Sequence, residues 1–465
     1  MGFLDKKVNE FQPINCQIKY GTAGFRDFSD NILEITSKIG VGLSVLAENC
    51  EDRIGIMITA SHNPSEYNGV KIVDQNGEMI SLQDEKIMEI IVNSKAETLK
   101  KLRDTVFHSY TLIIGYDTRE TCPEIVKRIV DGAGTIRPVN VEEYGKITTP
   151  ELHYLTFSKE NNYLNCLKEI KLNNNIKVDC AGGVGYLSLE KLNHPNVKLY
   201  CSPQTNKLNY HCGSDYVLKS NSLPDGFELF EDEIGCSLDG DGDRLIFYYK
   251  DKTGNLRILD GDHIMMLWAL YLKELYKETP VVVVTTPYCN QAFEKFLREK
   301  QIDVIFRATG VKNLHHEAKK HEIAVYFEAN GHGTALCKNK LPENFILNQL
   351  VGDGIYNIFT TLIILDEMKI TVDDWYKMVT KNPFINFSIS NKNLPEITCN
   401  KVGDRILNPP YFQEKIDQLS EKYEAKIFAR PSGTEPIIRI YIETQNDIEK
   451  IKDEITVYFE EQRIN

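Results

Sequence analysis

Short apolar runs recur along the chain, and each stops at a loop rich in glycine, aspartate or small polar residues. Ile54-Gly55-Ile56-Met57-Ile58 runs into Thr59-Ala60-Ser61-His62-Asn63-Pro64. The same design returns at "LIIGYDTR" (112–119), "IKVDCAGGVG" (176–185), "IGCSLDGDGDR" (234–244), "VVVVTTPYCN" (281–290) and "IAVYFEANGHG" (323–333). Runs of this kind, bounded by turn residues, predict buried strands. Helical periodicity lies between them, as at 263–275 and 291–300. The alternation predicts repeated α/β units with mainly parallel sheets. In such units ligands sit beyond the carboxyl ends of the strands, where these polar loops lie.

The C-terminal part is patterned differently. In "PIIRIYIE" (436–443), Ile438, Ile440 and Ile442 face one way, and Arg439, Tyr441 and Glu443 the other. Ile448, Ile451, Ile455 and Phe459 then follow at helical spacing. This reads as a smaller α+β domain. Breaks are expected near 147–154, near 259–262 and after Trp375. They divide the chain into 1–150, 151–258, 259–375 and 376–465.

A chain of 465 residues is too long for one ordinary core. With 42% hydrophobic and 26% charged residues it has the composition of a soluble globular protein. The longest apolar run, 264–272, is too short to span a bilayer, and "MGFLDKKVNEF" has no apolar signal region. Lys6 stands where N-myristoylation needs Ser or Thr. The eleven cysteines form no C-x-x-C pair, and their odd number fits reduced thiols in a cytoplasmic protein. No membrane association is expected. A net charge of −13, with no basic tract, argues against nucleic acid as a partner. It also means that an anionic ligand would need a local arginine cluster.

"SLDGDGDRLIF" (237–247) carries the strongest local chemistry. Asp239, Asp241 and Asp243 alternate with glycines that let the backbone curl, so three carboxylates converge on one hard cation. An EF-hand would need Gly at its sixth position and Glu at its twelfth; here Arg244 and Lys250 stand there. A surface acidic turn is the plain alternative, but like charges this close repel unless a cation neutralises them. Three carboxylates leave a divalent site short of ligands, and a phosphate oxygen would complete it for Mg2+.

Three further segments carry weaker signals. In "FARPSGTEPIIR" (428–439), Arg430 and Arg439 offer guanidinium forks, Ser432 and Thr434 offer hydroxyls, and Gly433 lets a backbone amide approach an anion. An ordinary turn before a strand explains the Ser-Gly-Thr but not the arginine on the strand's polar face. In "YFEANGHGT" (326–334), Glu328, Asn330 and His332 alternate around Gly331. A carboxylate and an amide suit paired sugar hydroxyls, and a histidine exchanges protons near neutrality. "KYGTAGFRDF" (19–28) presents Arg26 on a turn flanked by Gly21 and Gly24.

Taken together and in order, these segments resemble the α-D-phosphohexomutase superfamily. "YGTAGFR", "ITASHNPSEYNGVKIVD", "LDGDGDR", "TGVKNLHHEA", "VYFEANGHGTAL" and "RPSGTEP" resemble its phosphoacetylglucosamine mutase branch. The motifs span residues 20–436, nearly the whole chain. The resemblance implies three mixed α/β-sheet domains and a smaller C-terminal α+β domain around a central cleft. It implies that Ser61 carries a phosphoryl group and that Asp239, Asp241 and Asp243 hold Mg2+ together with it. Glu328, Asn330 and Gly331 match the sugar-binding loop, and Arg430, Ser432, Gly433, Thr434 and Arg439 the phosphate-binding loop. Arg26 and Lys71 match positive groups near the transferred phosphate. Lys71 and His332 are the candidates for proton transfer, with His62 next.

The implied reaction interconverts N-acetylglucosamine 6-phosphate and 1-phosphate through a 1,6-bisphosphate, a step towards UDP-N-acetylglucosamine. A broader phosphoglucomutase or phosphomannomutase is the alternative; Asn330 argues against it, because such enzymes usually carry serine there. Two positions depart from the branch. Gly242 replaces the usual alanine of DGDAD, and Asn313 stands where relatives often carry histidine. The partner expected is a sugar phosphate; oligomeric state leaves no mark on the pattern.

Overall fold

A computed structural model describes residues 18–21, 24–95, 108–158, 160–231, 233–342, 345–432 and 436–463. They divide into two compact units. One comprises Met1–Asp260, Asn330–Thr334 and Leu341–Lys369; the other comprises Gly261–Ala329, Ala335–Lys340 and Ile370–Asn465.

The first unit holds two five-stranded sheets. The first is built from β1 (Phe25–Phe28), β2 (Arg53–Ile58), β3 (Tyr67–Val73), β4 (Tyr110–Tyr116) and β5 (Val139–Lys146), in the order β1-β3-β2-β4-β5. On one face Ile54, Ile56 and Ile58 join Ile32, Ile35 and Ile39 of helix Ser29–Leu46 and Ile125 and Ile129 of helix Cys122–Ala133. On the other, Met57, Val73 and Ile113 pack on Leu152 and Leu155 of helix Thr149–Phe157. Burial on both faces is why this strand reads as an unbroken apolar run. The second sheet takes β6 (Ile176–Asp179), β7 (Val197–Tyr200), β8 (Ile234–Leu238), β9 (Leu245–Lys250) and β10 (Leu256–Leu259), in the order β10-β9-β8-β6-β7.

These sheets are mixed rather than mainly parallel. β2 runs parallel to β4 but antiparallel to β3, and β8 runs parallel to β6 but antiparallel to β9. The reason is loop length. Only residues 59–66 join β2 to β3, and only 239–244 join β8 to β9. A parallel pair needs a crossover of about a dozen residues or more. The serine and aspartate motifs are therefore hairpin connections.

A four-stranded sheet is built from β11 (Val281–Thr285), β12 (Asp303–Phe306), β13 (Ile323–Phe327) and β14 (Gly333–Cys337), in the order β12-β11-β13-β14, with β11, β12 and β13 in the second unit. Helices Gly261–Leu275 and Gln291–Glu299 occupy the stretches of helical periodicity. A two-stranded sheet pairs β16 (Thr398–Cys399) with β17 (Ile406–Asn408). A three-stranded antiparallel sheet joins β15 (Phe384–Ser390), β19 (Ile437–Glu443) and β18 (Lys426–Pro431). Its core collects Ile438, Ile440 and Ile442 with Ile451, Ile455 and Phe459 of helix Ile448–Glu461. The opposite face of β19 is not simply polar: Tyr441 and Glu443 are both 1% exposed. Tyr441 donates to Glu443, which also accepts from the Gln291 amide and the Asn382 side chain. Alternation reports which positions share a face, not what covers it.

Among the described residues, no helix is long and apolar enough to cross a membrane, and ten cysteines are free thiols.

Candidate active site

The turn after β2 is held in a constrained shape. Ser61 has φ 48°, a left-handed conformation uncommon for serine, and is 2% exposed. Its backbone N–H donates to Thr59 Oγ1 at 2.8 Å, and Thr59 donates to Asp117 at 2.6 Å. Asn209 Nδ2 donates to the carbonyls of Ser61 (2.8 Å) and Asn63 (3.0 Å). Arg119, ion-paired with Asp117, donates to the carbonyls of Tyr67 and Asn63 at 2.6 and 2.7 Å. Donors on both sides thus fix a backbone that would otherwise relax.

The aspartate hairpin meets this turn at close range. A Cβ at Gly240 would lie 2.7 Å from the Ser61 carbonyl oxygen, so only glycine fits. Ser61 Oγ donates to Asp241 Oδ2 at 3.0 Å. The same oxygen accepts from Lys71 Nζ and Thr149 Oγ1, each at 2.6 Å. Lys71 also donates to Asp243 Oδ2 at 2.8 Å. The Asp243 and Arg244 backbone amides donate to Asp239 Oδ1 at 3.1 and 3.2 Å.

These contacts leave one oxygen of each aspartate over. Oδ2 of Asp239, Oδ1 of Asp241 and Oδ1 of Asp243 are buried with no hydrogen bond among the described residues. The three carboxylates each offer an oxygen within 4.8 Å of the others. Buried carboxylate oxygens without hydrogen bonds are costly, and hard oxygen donors this close fit a Mg2+ ion. The electrostatics agree. Burial, then repulsion from Asp241 and Asp243, pushes the Asp239 carboxyl far up. Burial also opposes charge on Asp241 and Asp243, but nearby cations outweigh it: Lys71 for Asp241, and His332, Lys71 and Arg244 for Asp243. Both are held below the usual carboxylate range.

Further cations face the cluster. Arg26 is held by Asn63 Oδ1 at 3.0 Å, leaving Nε and Nη2 buried without hydrogen bonds among the described residues. Burial, and then the charge of Arg244, lowers its pKa to about 10, so it stays charged at neutral pH. His332 Nδ1 lies 3.9 Å from Asp243 Oδ1, and its backbone amide donates to Asn330 Oδ1 at 3.0 Å. His62 is pushed well below its ordinary value by burial and by Arg244, which keeps it neutral.

Ser61, Lys71, Arg26, His332, Asp239, Asp241 and Asp243 thus share one site inside the first unit, with Asn330 and Gly331 on the segment that carries His332. Glu328, Arg430, Ser432 and Arg439 belong to the second unit. There Glu328 accepts from the Gly310 amide at 2.8 Å. Arg430 and Arg439 are direct cross-strand partners on β18 and β19. Like charges opposite each other are unfavourable unless an anion bridges them. Arg430 also donates to the Tyr288 hydroxyl at 3.2 Å. Gly433 and Thr434 lie outside the described residues.

Several residues that build the site carried no local signal. Thr149 belongs to "ITTPELHY", which reads only as a boundary, yet its hydroxyl and its amide both donate to Asp241. Asp117 and Arg119 end an apolar run that resembles the others, and they brace the serine turn. Asn209 and Asp215 lie in a segment with no motif, although Asp215 accepts from Arg244 at 3.1 Å.

Family models match three stretches of the chain. They are described as phosphoacetylglucosamine mutase AMG1 domain III (260–350), phosphoglucomutase/phosphomannomutase alpha/beta/alpha domain I (42–99), and the C-terminal domain of the same group (408–456). Phosphoacetylglucosamine mutase from Homo sapiens is 31% identical, over 94% of this chain and 92% of the relative. That from Candida albicans is 32% identical, over 96% of each. Among solved structures, an N-acetylglucosamine-phosphate mutase in its substrate complex superposes with a TM-score of 0.89 at 29% identity, covering 98% of this chain and 99% of the other. The Aspergillus fumigatus N-acetylphosphoglucosamine mutase in complex with GlcNAc-6P and magnesium also gives 0.89, at 27% identity, covering 99% and 98%.

Proposed function

This chain belongs to the phosphoacetylglucosamine mutase family, and on that premise we propose that Ser61 is its phosphoryl carrier. The enzyme is a Mg2+-dependent phosphohexomutase that interconverts N-acetylglucosamine 6-phosphate and N-acetylglucosamine 1-phosphate. The observation that carries the role of Ser61 is its 3.0 Å hydrogen bond to Asp241, in a cluster where three carboxylates each keep a buried oxygen without a hydrogen bond among the described residues.

A serine hydroxyl is a weak nucleophile, but as a phosphoserine it is a donor. O1 of the 6-phosphate sugar takes the phosphoryl group: the bond from phosphorus to Ser61 Oγ breaks and the bond to O1 forms. Lys71 and His332 are the candidates to take the proton leaving O1, and whichever does so must first be in its neutral form. The 1,6-bisphosphate turns end for end, and the phosphoryl group on O6 moves to Ser61 Oγ, regenerating the carrier. Asp239, Asp241, Asp243 and the seryl phosphate would hold Mg2+, which offsets negative charge on the transferring group. Arg26 adds fixed positive charge there. Glu328, Asn330 and Gly331 are assigned to the sugar, and Arg430, Ser432, Gly433, Thr434 and Arg439 to the phosphate that is not being transferred.

The four functions map onto four spans: 1–150 for the phosphoserine, 151–258 for the metal, 259–375 for the sugar and 376–465 for the phosphate. Each main sheet is drawn from within one span, except that β10 runs one residue over, to Leu259, whereas helix Thr149–Phe157 crosses the first break and packs on the first sheet, and 330–334 and 341–369 group with the first unit. A cytoplasmic location accords with the free thiols.

The test is a panel of hexose 1- and 6-phosphates assayed with Mg2+ and again with a chelator. Turnover is expected to favour the N-acetylated sugar and to stop on chelation. Glucose 1-phosphate turned over far better than the N-acetylated sugar would overturn the substrate assignment.

A further inference from the structure

Behind the serine turn lies a pair of thiols that the reaction does not use. Cys201 follows β7, and Cys212 precedes helix Ser214–Ser220. Their sulfurs and an Asp179 carboxylate oxygen all lie within 4.8 Å of one another. Both residues are buried, Cys212 almost completely, and neither is in a disulfide. Asp179 is already committed: it accepts from the amides of Ala181 and Gly213 and from the Ser237 hydroxyl, at 2.8, 2.6 and 2.7 Å. It is therefore a poor third ligand for a metal, and the sulfurs themselves make only long contacts, Cys201 to the Asp225 carbonyl at 4.0 Å and Cys212 to the Lys207 carbonyl at 3.8 Å.

The chain between these cysteines is tied to the catalytic turn. It contains Asn209, whose side chain holds the carbonyls of Ser61 and Asn63. Asn209 and His211 adopt left-handed backbone angles of 55° and 50°, as does Cys201 at 53°. Such residues keep that shape only where their surroundings enforce it. A cavity of about 630 Å³ lies between Pro203 and Asn206 of this segment and Ser65 of the serine turn, beside the 2.7 Å Lys207–Glu66 ion pair that joins the two.

We propose that Cys201 and Cys212 form a reversible dithiol–disulfide pair whose oxidation slows turnover by drawing Asn209 off the Ser61 turn. The oxidant is a small-molecule disulfide. One cysteine attacks it as the thiolate and releases a small thiol; the second cysteine then displaces the other half, leaving an Sγ–Sγ bond. The protein loses two protons and two electrons, and two small thiols carry them away. Burial of both sulfurs limits access of the oxidant, so the pair reacts slowly and stays reduced under mild conditions. The effect on turnover rests on the proposed role of Ser61; formation of the bond does not.

The test incubates the full chain in glutathione buffers from fully reduced to fully oxidised, then divides each sample. One part is alkylated and its peptides are mapped, one is assayed for turnover, and one is followed by amide hydrogen exchange across 59–66. Oxidation is expected to link Cys201 to Cys212, to speed exchange in the turn, and to lower turnover about fivefold, the rate equivalent of one hydrogen bond. Dithiothreitol should reverse all three. Cys201→Ala and Cys212→Ala should each resist the loss; the partly accessible Cys201 supplies the variant that keeps its fold if the other does not. Absence of the Cys201–Cys212 link in oxidised protein would overturn the proposal. So would a link that leaves exchange in the turn unchanged, or an equal loss of turnover in the variants. A link with faster exchange in a protein that shows no turnover even when reduced would count against the role of Ser61 and not against the pair.

Discussion

Ser61 Oγ donates to Asp241 Oδ2 across 3.0 Å, although the two residues lie 180 positions apart in the chain. Thr149 Oγ1 and Lys71 Nζ end on the same oxygen at 2.6 Å, so three donors point Asp241 and leave its other oxygen for a cation. Thr149 is thus a positioning residue. Thr149→Val should raise the Mg2+ concentration needed for half-maximal activity roughly 10–100-fold, the scale for losing a partner of a metal-ligating carboxylate. Thr149→Ser, which keeps the hydroxyl, should restore it. A Mg2+ titration of the three proteins reads this directly; an unchanged requirement in Thr149→Val would remove Thr149 from the site.

Gly240 tests how close the serine turn and the aspartate hairpin must be. A methyl group there would meet the Ser61 carbonyl at 2.7 Å and Leu208 at 2.8 Å. Gly240→Ala should cost about 1–3 kcal/mol, as overpacking does, and should cut turnover far more than that loss alone, because the strain separates the two loops. The control is Gly134→Ala, where the nearest atom is 3.5 Å away and ordinary contact suffices. Denaturant melts and kcat for both variants decide it; equal behaviour would mean the approach has no bearing on activity.

What could be read from the sequence was what neighbouring residues fix among themselves. The runs at 54–58 and 234–238 lie in β2 and β8, and the polar knots after them are tight connections, because turn chemistry and apolar runs are local. Strand direction was not local. It followed from the lengths of the 59–66 and 239–244 connections, which force antiparallel neighbours into otherwise parallel sheets. The bracing residues were also hidden. Arg119 and Asn209 act on the serine turn from 56 and 148 positions away, and an arginine or asparagine in a loop does not announce its partner. Burial of Tyr441 and Glu443 was hidden for the same reason, since what covers the second face of β19 is contributed from elsewhere in the chain.

His153 sets an expected pH dependence of stability. It is 2% exposed and its Nδ1 is 2.8 Å from the Gly77 carbonyl. Burial, partly offset by that hydrogen bond, lowers its pKa to about 4. An unfolded chain would bind the proton near the ordinary value, so below it the unfolded state carries more protons and stability falls with pH. The contribution is full above about pH 6.5 and is lost progressively towards pH 4, with an amplitude of about 3 kcal/mol. His153→Gln should flatten the melting temperature between those limits. A parent protein with the same slope as the variant would show that His153 is not buried neutral.

The most direct test of the central claim is the position of the phosphoryl group on the enzyme stopped during turnover. The protein is incubated with N-acetylglucosamine 1,6-bisphosphate and Mg2+, quenched in acid and mapped by peptide mass. The phosphate is expected on the peptide containing Ser61, to remain there when N-acetylglucosamine 6-phosphate is added because each turnover regenerates it, and to be absent from an inactive Ser61→Ala. Phosphate on another residue, in a Ser61→Ala protein that still turns over, would contradict the account.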